Sequence, residues 1–271
     1  MPRAIIQSAD DERIHAYRHL PRRKAHRTQS HFVVEGRWLV NRLLDSDVEV
    51  LSILCGEQQA DEFSGISEQI PLYTADRSVI DEIVGFEFHR AVLACGRRPL
   101  TCNLEALNEK SGTPTLLAAC AGVCDQENLG SVIRSCRAFG VDGLLLDNRS
   151  ADAFSRRVMR VSAGAALALP IIESADLSRE LGRLQREWNF KLVATVLDSS
   201  ATPMEKAQVH EKMVVVFGNE GFGLDDQLIP ICDYQVTLPM QGGVDSLNVG
   251  VASGIFLHHY RNVQQSLSEQ E

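Results

Sequence analysis

The chain has no apolar run approaching the roughly 18 residues that a membrane span needs. Its opening stretch, MPRAIIQSADDERIHAY, lacks the apolar core and small-residue cleavage site of a secretory leader. Neither a membrane-embedded nor a secreted protein is expected, and the reading is cytoplasmic. None of the seven cysteines (Cys55, Cys95, Cys102, Cys120, Cys124, Cys136 and Cys232) belongs to a Cys-x-x-Cys pair. Their odd number and their places in apolar runs exclude a disulfide scaffold and predict reduced, buried thiols. Two nucleotide signatures are also missing: no Gly-x-Gly-x-x-Gly follows a strand at the start of the second half, and there is no phosphate loop ending in Gly-Lys-Ser or Gly-Lys-Thr. A common dinucleotide fold is therefore disfavoured. Positive charge is in short supply, with 27 Lys and Arg against 36 Asp and Glu and a net charge of -9, which argues against a general nucleic-acid coat.

What is present is a soluble-type composition, 44% hydrophobic and 23% charged, in 271 residues, enough for about two domains. The scarce positive charge is concentrated. Between Arg13 and Arg37 stand Arg18, Arg22, Arg23, Lys24 and Arg27, with Glu35 as the one acid. Such a run is either a solvated face or a phosphate-contacting surface whose binding would be salt-sensitive, and Arg22, Arg23, Lys24 and Arg27 are its RNA-contact candidates. His15, His19, His26 and His31 lie in the same stretch without acidic or cysteine partners at ligand spacing, so no metal site is expected. Around it, short strands at Phe32 to Glu35, Val48 to Cys55, Ile70 to Tyr73 and Ala91 to Cys95 alternate with helical patterns at Arg37 to Leu44 and Ser78 to Ile83. They form a small α/β domain over 1–105, joined to a second over 112–265 by a polar linker or connecting helix near 98–112.

In the second domain, apolar strands at Thr115 to Val123, Gly143 to Asp147, Leu169 to Ile172, Lys191 to Leu197, Met213 to Phe217 and Tyr234 to Leu238 are separated by helical segments. Continuous apolar strands between helices predict a mainly parallel sheet covered on both faces. Helices are expected over Asn128 to Phe139, stopped by Gly140, and over Ser246 to Asn262, capped by Asp245 with Leu247, Val251, Ile255 and His258 on one stripe. Three polar loops follow strands: DQENLG from Asp125, FGNEGFGL from Phe217 and LPMQGGVDSLNVGV from Leu238. In open α/β sheets such loops gather at one edge, where ligands bind.

These loops resemble, in order, the three motifs of the SpoU/TrmH class of SPOUT-superfamily RNA methyltransferases. Asn128-Leu-Gly130 with Arg134 and Phe139-Gly140 looks like the first motif, and Gly218, Glu220, Gly221, Gly223 and Leu224 like the second. Pro239-Met240 followed by Ser246-Leu247-Asn248-Val249 looks like the third, and Val161 to Ala165 like a short element between the first two. Phe32 to Gly36 and the helix after it are similar, more loosely, to the family's ribosomal-protein-like substrate-binding domain. The resemblance implies an α/β trefoil-knot (SPOUT) methyltransferase domain behind a smaller N-terminal α/β substrate-binding domain. It also implies a homodimer and transfer of a methyl group from S-adenosyl-L-methionine to a ribose 2'-hydroxyl of RNA, with no metal. Ribosomal RNA is favoured slightly over tRNA.

By the same resemblance, Gly218, Asn219, Glu220, Gly221, Leu238, Met240, Ser246 and Leu247 are the cofactor-binding candidates, and Arg134, Asn128, Ser246 and Asn248 the catalytic ones. The family attaches proton removal to the motif-one arginine, yet a guanidinium stays protonated in proteins. Arg134 is better cast as a clamp on the phosphate beside the target ribose that also stabilises oxyanion charge. Each residue has a plainer reading: Arg134 as a surface ion-pair former, Asn128 and Ser246 as helix caps, Glu220 as a brace for loop amides. A non-catalytic RNA-binding relative would keep the fold and lose the cofactor. Where the family's first motif often continues Asp-Pro, this chain has Asp125-Gln126, so a rigid turn is absent.

Overall fold

The computed structural model describes residues 3–18, 29–63, 65–66, 69–85, 92–100, 102–110, 114–243 and 245–268. Arg22, Arg23, Lys24 and Arg27 lie outside the described residues. The chain divides into two compact units, Met1–Leu100 with Asp152–Ala168, and Thr101–Ala151 with Leu169–Glu271.

In the first unit, strands β1 (Arg3–Ile6), β2 (His31–Glu35), β3 (Val50–Gly56), β4 (Leu72–Ala75) and β5 (Val92–Arg97) accompany helices α1 (Arg37–Leu44) and α2 (Arg77–Val84). The strands lie in the order β1-β4-β3-β5-β2, with β4 parallel to β1 and β3, and β5 antiparallel to β3 and β2. β1 was not legible in the sequence: four residues at a sheet edge show no period. Ile14, Tyr17, Val33, Leu54, Ile80 and Leu93 pack as the core, and the buried Tyr17 hydroxyl is satisfied by Ser52 Oγ at 2.8 Å.

The second unit begins with helix α3 (Leu104–Lys110), inside the segment read as a linker or connecting helix. Strand β6 (Thr115–Cys120), helix α4 (Gln126–Ala138) and strand β7 (Gly143–Asp147) follow. The next helix, α5 (Arg156–Val161), belongs to the excursion Asp152–Ala168 that packs in the first unit. Glu35, buried at the end of β2, accepts hydrogen bonds at 3.1 Å from both Arg156 Nε and Arg160 Nη1 of α5. Beyond it come β8 (Ile171–Ser174), α6 (Leu177–Trp188), β9 (Lys191–Thr195), the short β10 (Thr202–Pro203), β11 (Lys212–Phe217), β12 (Tyr234–Thr237) and α7 (Val249–Ser268). Among the described residues all seven strands pair in parallel, in the order β10-β12-β9-β11-β6-β7-β8. Every residue of β6 and β7 is buried, the pattern of central parallel strands covered on both faces.

Two helix expectations change. The last helix starts at Val249 rather than Ser246, because Asn248 and not Asp245 caps it: its Oδ1 accepts the Gly250 amide at 2.8 Å. The expected apolar stripe also faces outward. Val251 and Ile255 are 54% and 38% exposed, while Ser253, Phe256, Leu257 and Tyr260 form the buried face. Gly140, with φ of 67°, ends α4 as expected. Cys55, Cys95, Cys120 and Cys136 are buried free thiols, Cys102 and Cys232 are half-buried, and Cys124 is exposed, contrary to expectation. Burial pushes the Cys55 thiol up to about 11 and that of Cys95 to about 12.

Candidate functional site

The three polar loops follow the C-terminal ends of β6, β11 and β12, which are near neighbours in the sheet. After β6, Asp125 caps α4, its Oδ1 accepting the amides of Glu127 at 2.8 Å and Asn128 at 2.9 Å. That cap fixes where Asn128 stands on the first turn. After β11 the chain folds back so tightly that a Cβ on Gly218 would lie 2.5 Å from the Gly223 carbonyl oxygen, so only glycine fits. Asn219 and Gly223 exchange both backbone hydrogen bonds at 2.9 Å. Asn219 Oδ1 takes the amides of Gly221 at 2.9 Å and Phe222 at 3.1 Å, and its amide group donates to the Gly122 carbonyl at 2.8 Å. One side chain thus folds the second loop and ties it to the first. Phe222 at the tip is 95% exposed.

A side-chain relay joins all three loops. Asn248 Oδ1 is committed to the start of α7, which leaves its Nδ2 to donate to Asn128 Oδ1 at 2.7 Å. Asn128 Nδ2 in turn donates to Glu220 Oε1 at 2.7 Å. The helix cap therefore sets the orientation of both amides and aims the relay at a carboxylate, so that no member can turn without breaking a bond.

Beside the relay is an open cleft whose lining is mainly apolar with a few polar groups, the make-up usual for small-molecule sites. Gly218, Asn219, Glu220 and Gly223 line it from the second loop, and Leu238, Met240, Ser246 and Leu247 from the third. Its remaining walls are Thr195 at the end of β9 and Val196 and Leu197 after it, with Phe217, Val249, Ala252 and Phe256. Further support lies behind the loops. Asp147, at the end of β7, accepts from the Gly122 amide at 3.0 Å and from Ser150 Oγ at 2.6 Å. Burial pushes its carboxyl up, but the hydrogen bonds from Ser150, Arg149 and the amides outweigh this and hold it below the ordinary value. Arg149 bridges Asp147 at 2.9 Å and Asp225 at 3.3 Å, bracing the far end of the second loop.

Of the residues singled out in the sequence, Asn128, Asn248, Gly218, Asn219, Glu220, Leu238, Met240, Ser246 and Leu247 are brought together in the relay and cleft. Gly221 lies outside the lining and serves as an amide donor to Asn219. Arg134 also stands apart: six residues beyond Asn128, or about 9 Å along the helix, it is exposed and off the cleft lining. Among the described residues it has no hydrogen-bond or ion-pair partner. Sequence reasoning missed Thr195 to Leu197 and Phe256. The former were legible only as the end of a strand, the latter only as one apolar residue of an amphipathic helix.

Residues 115–258 match the family model described as the SpoU rRNA Methylase family, and residues 11–94 match that of an MRM3-like substrate binding domain. The chain belongs to the SpoU rRNA methylase family. It is 33% identical to an uncharacterized tRNA/rRNA methyltransferase of Mycobacterium bovis over 82% of this chain and 78% of that one. It is 27% identical to a 23S rRNA guanosine 2'-O-methyltransferase of Bacillus subtilis, over 94% and 98% of the two chains. Its fold is that of an AdoMet-bound rRNA methyltransferase from Sinorhizobium meliloti, with a TM-score of 0.83 at 23% identity, covering 96% of this chain and 98% of the other. Among the described residues no helix is long and apolar enough to cross a membrane, and no cluster of His, Cys, Asp and Glu could hold a metal.

Proposed function

We propose that this SpoU-family protein methylates a ribose 2'-hydroxyl of structured RNA, ribosomal RNA in preference to tRNA, using S-adenosyl-L-methionine. The observation that carries the reading is the relay Asn248–Asn128–Glu220 standing beside an open, largely apolar cleft. The cleft fits that cofactor by its chemistry. Leu238, Leu247 and Phe256 offer apolar walls, while the glycine-bearing second loop offers backbone groups that no side chain obstructs. When bound, S-adenosyl-L-methionine supplies an electrophilic methyl on a sulfonium centre. The protein's part is alignment: a hydroxyl held in line with that carbon reacts without paying the entropy of a bimolecular encounter.

Asn128 and Asn248 orient the acceptor because their amides are fixed by the relay, Ser246 adds a hydroxyl at the cleft rim, and Glu220 anchors the relay. Arg134 clamps the RNA phosphate next to the acceptor and stabilises charge on the departing-proton oxygen. The relatives support the substrate class: one is named for tRNA/rRNA and one for the guanosine 2'-hydroxyl of 23S rRNA.

The protein works as a homodimer in this reading. The outward stripe Val251 and Ile255 on α7, with Phe139 and His258 beside it, lines a groove on the α4–α7 face that a second copy would cover by two-fold symmetry. A two-fold partner also gives Arg134, free on its own chain's surface, a cleft to serve. After β12 the chain returns past the ends of β9 and β11 to lay α7 on α4, and we read this return as the threading of a trefoil knot. The cytoplasm, where ribosomal RNA is modified, is the matching compartment.

Calorimetry with S-adenosyl-L-methionine, then single-turnover transfer of labelled methyl to RNA, tests the proposal. Saturable binding and labelled RNA are expected. Absence of cofactor binding, the behaviour of a non-catalytic relative, would overturn it. Arg134→Lys keeps the charge but loses the planar fork, so its rate should fall at least ten-fold; a near-normal rate refutes the clamp.

A further inference from the structure

Helix α1 of the first unit carries an exposed indole that its own fold leaves uncovered. Its core face is Leu39, Val40 and Leu43, and the opposite face shows Trp38, 56% exposed. Arg42, one turn on, lies over the Trp38 ring with its guanidinium carbon 5.1 Å from the centroid. That guanidinium is not free to swing away, because Nη1 donates to the Ala163 carbonyl at 2.8 Å. Ala163 itself holds a φ of 53°, and Gly164 a φ of 68°, in a turn packed on Leu39 and Arg42. A strained, close-packed turn thus fixes an arginine over one side of the ring, and the exposure is left for the other side and the edge.

Trp38 lines an open cavity of about 640 Å³ together with Arg37, Gln59, Glu62, Arg160 and the buried Glu35. Arg37 bonds to Glu62 through Nε at 2.6 Å, and Glu35 holds Arg156 and Arg160. Three guanidinium groups, those of Arg37, Arg156 and Arg160, thus meet the two carboxylates of Glu35 and Glu62, and Arg37 and Arg160 are the basic residues of the lining. In a chain whose net charge is -9 this is a local positive field, next to an aromatic ring with open surface.

We propose that this cavity takes one unpaired nucleotide of the RNA substrate, its base stacked on Trp38 and its phosphate drawn by Arg37 and Arg160. The proposal rests on the RNA-modifying reading above and narrows it to RNA with a splayed-out base. A base within an A-form duplex is stacked on both sides and cannot reach the indole, whereas a loop or bulge base can. Arg42 braces the ring from behind and completes the sandwich.

The test uses the full chain with Trp188→Phe, so that Trp38 is the remaining tryptophan, and titrates it with a single-stranded oligoadenylate or the same strand annealed to its complement. Quenching of Trp38 emission by the single strand and not by the duplex is expected. Trp38→Ala should weaken single-strand binding roughly 5- to 150-fold, the effect of one base–aromatic stack, while Trp38→Phe retains most of the affinity. S-adenosyl-L-methionine affinity should be unchanged in both variants, and the KM for total ribosomal RNA should rise in Trp38→Ala with kcat unchanged. Equal quenching by the duplex, or Trp38→Ala with wild-type affinity and KM in a protein that still transfers methyl groups, would overturn the proposal and leave the methyltransferase reading standing. A wild-type protein that binds neither cofactor nor RNA would overturn both.

Discussion

Gly218→Ala is the sharpest perturbation of the site, because one methyl group decides whether the second loop can close. The added Cβ would lie 2.5 Å from the Gly223 carbonyl oxygen, and Gly223 C and Leu224 N crowd it as well. All three are backbone atoms, so no flexible side chain can yield. Ordinary contact requires the strand end and the loop to part by about an ångström, and overpacking of this kind costs roughly 1–3 kcal/mol. The parting also pulls on the paired Asn219–Gly223 hydrogen bonds, both 2.9 Å, and on the Asn219 bond to Gly122. For a unit of this size that strain lowers Tm by roughly 2–12 °C. If binding instead has to force the loop closed, the same free energy weakens S-adenosyl-L-methionine about 5- to 150-fold. Differential scanning calorimetry and ligand titration on the same preparation measure both. A variant with unchanged Tm and unchanged cofactor affinity would show that the close approach does not shape the site.

In the relay, Asn128→Ala and Asn248→Ala should each lower methyl transfer, and their double-mutant cycle should show a coupling of about 0.5–1.5 kcal/mol; strictly additive losses would mean the 2.7 Å bond is incidental. Glu220→Gln can still accept from Asn128 and should keep more activity than Glu220→Ala, whereas equal losses would assign the carboxylate charge itself a role. Val251→Glu should convert a dimer of twice the 30.0 kDa chain mass to monomers by light scattering and reduce methyl transfer; a monomeric wild type refutes the dimer reading. Asp147 has a lowered folded-state pKa, so its stabilisation is fully present above the unfolded value near 4 and is lost as pH falls through the folded one. The gap in urea midpoint between wild type and Asp147→Asn should therefore be wide at pH 7 and narrow below about pH 4; a gap independent of pH would contradict this.

The second unit was the more legible in sequence, for a physical reason. β6, β7 and β11 are buried on both faces, so their apolar runs are continuous, and β6 and β11 end at loops whose glycines and asparagines have geometric work that other residues cannot do. Gly218 and Asn219 are such residues, one forced by backbone crowding and the other by the three hydrogen bonds its side chain makes with backbone groups. By contrast, the orientation of α7 was not legible. Its periodicity fits two apolar faces, and only packing on α4 and β11 selects which is buried, with Phe256 against Phe217 and with Val251 and Ile255 left outside. The cleft walls at Thr195 to Leu197 were hidden because nothing in a strand's own sequence tells which end meets a ligand. The excursion Asp152–Ala168 into the first unit depends on ion pairs to Glu35 more than 120 residues away in sequence, a separation over which local pattern carries no information.

In the proposed reaction the cleft and the relay together deliver a methyl group to a ribose oxygen. The most direct measurement is nucleoside analysis of unmodified ribosomal RNA after incubation with the purified chain and methyl-labelled S-adenosyl-L-methionine. Label recovered in 2'-O-methylated nucleosides, and lost with Asn128→Ala, is the predicted result. Label on a base, or none on RNA from a protein that binds the cofactor, would contradict the account.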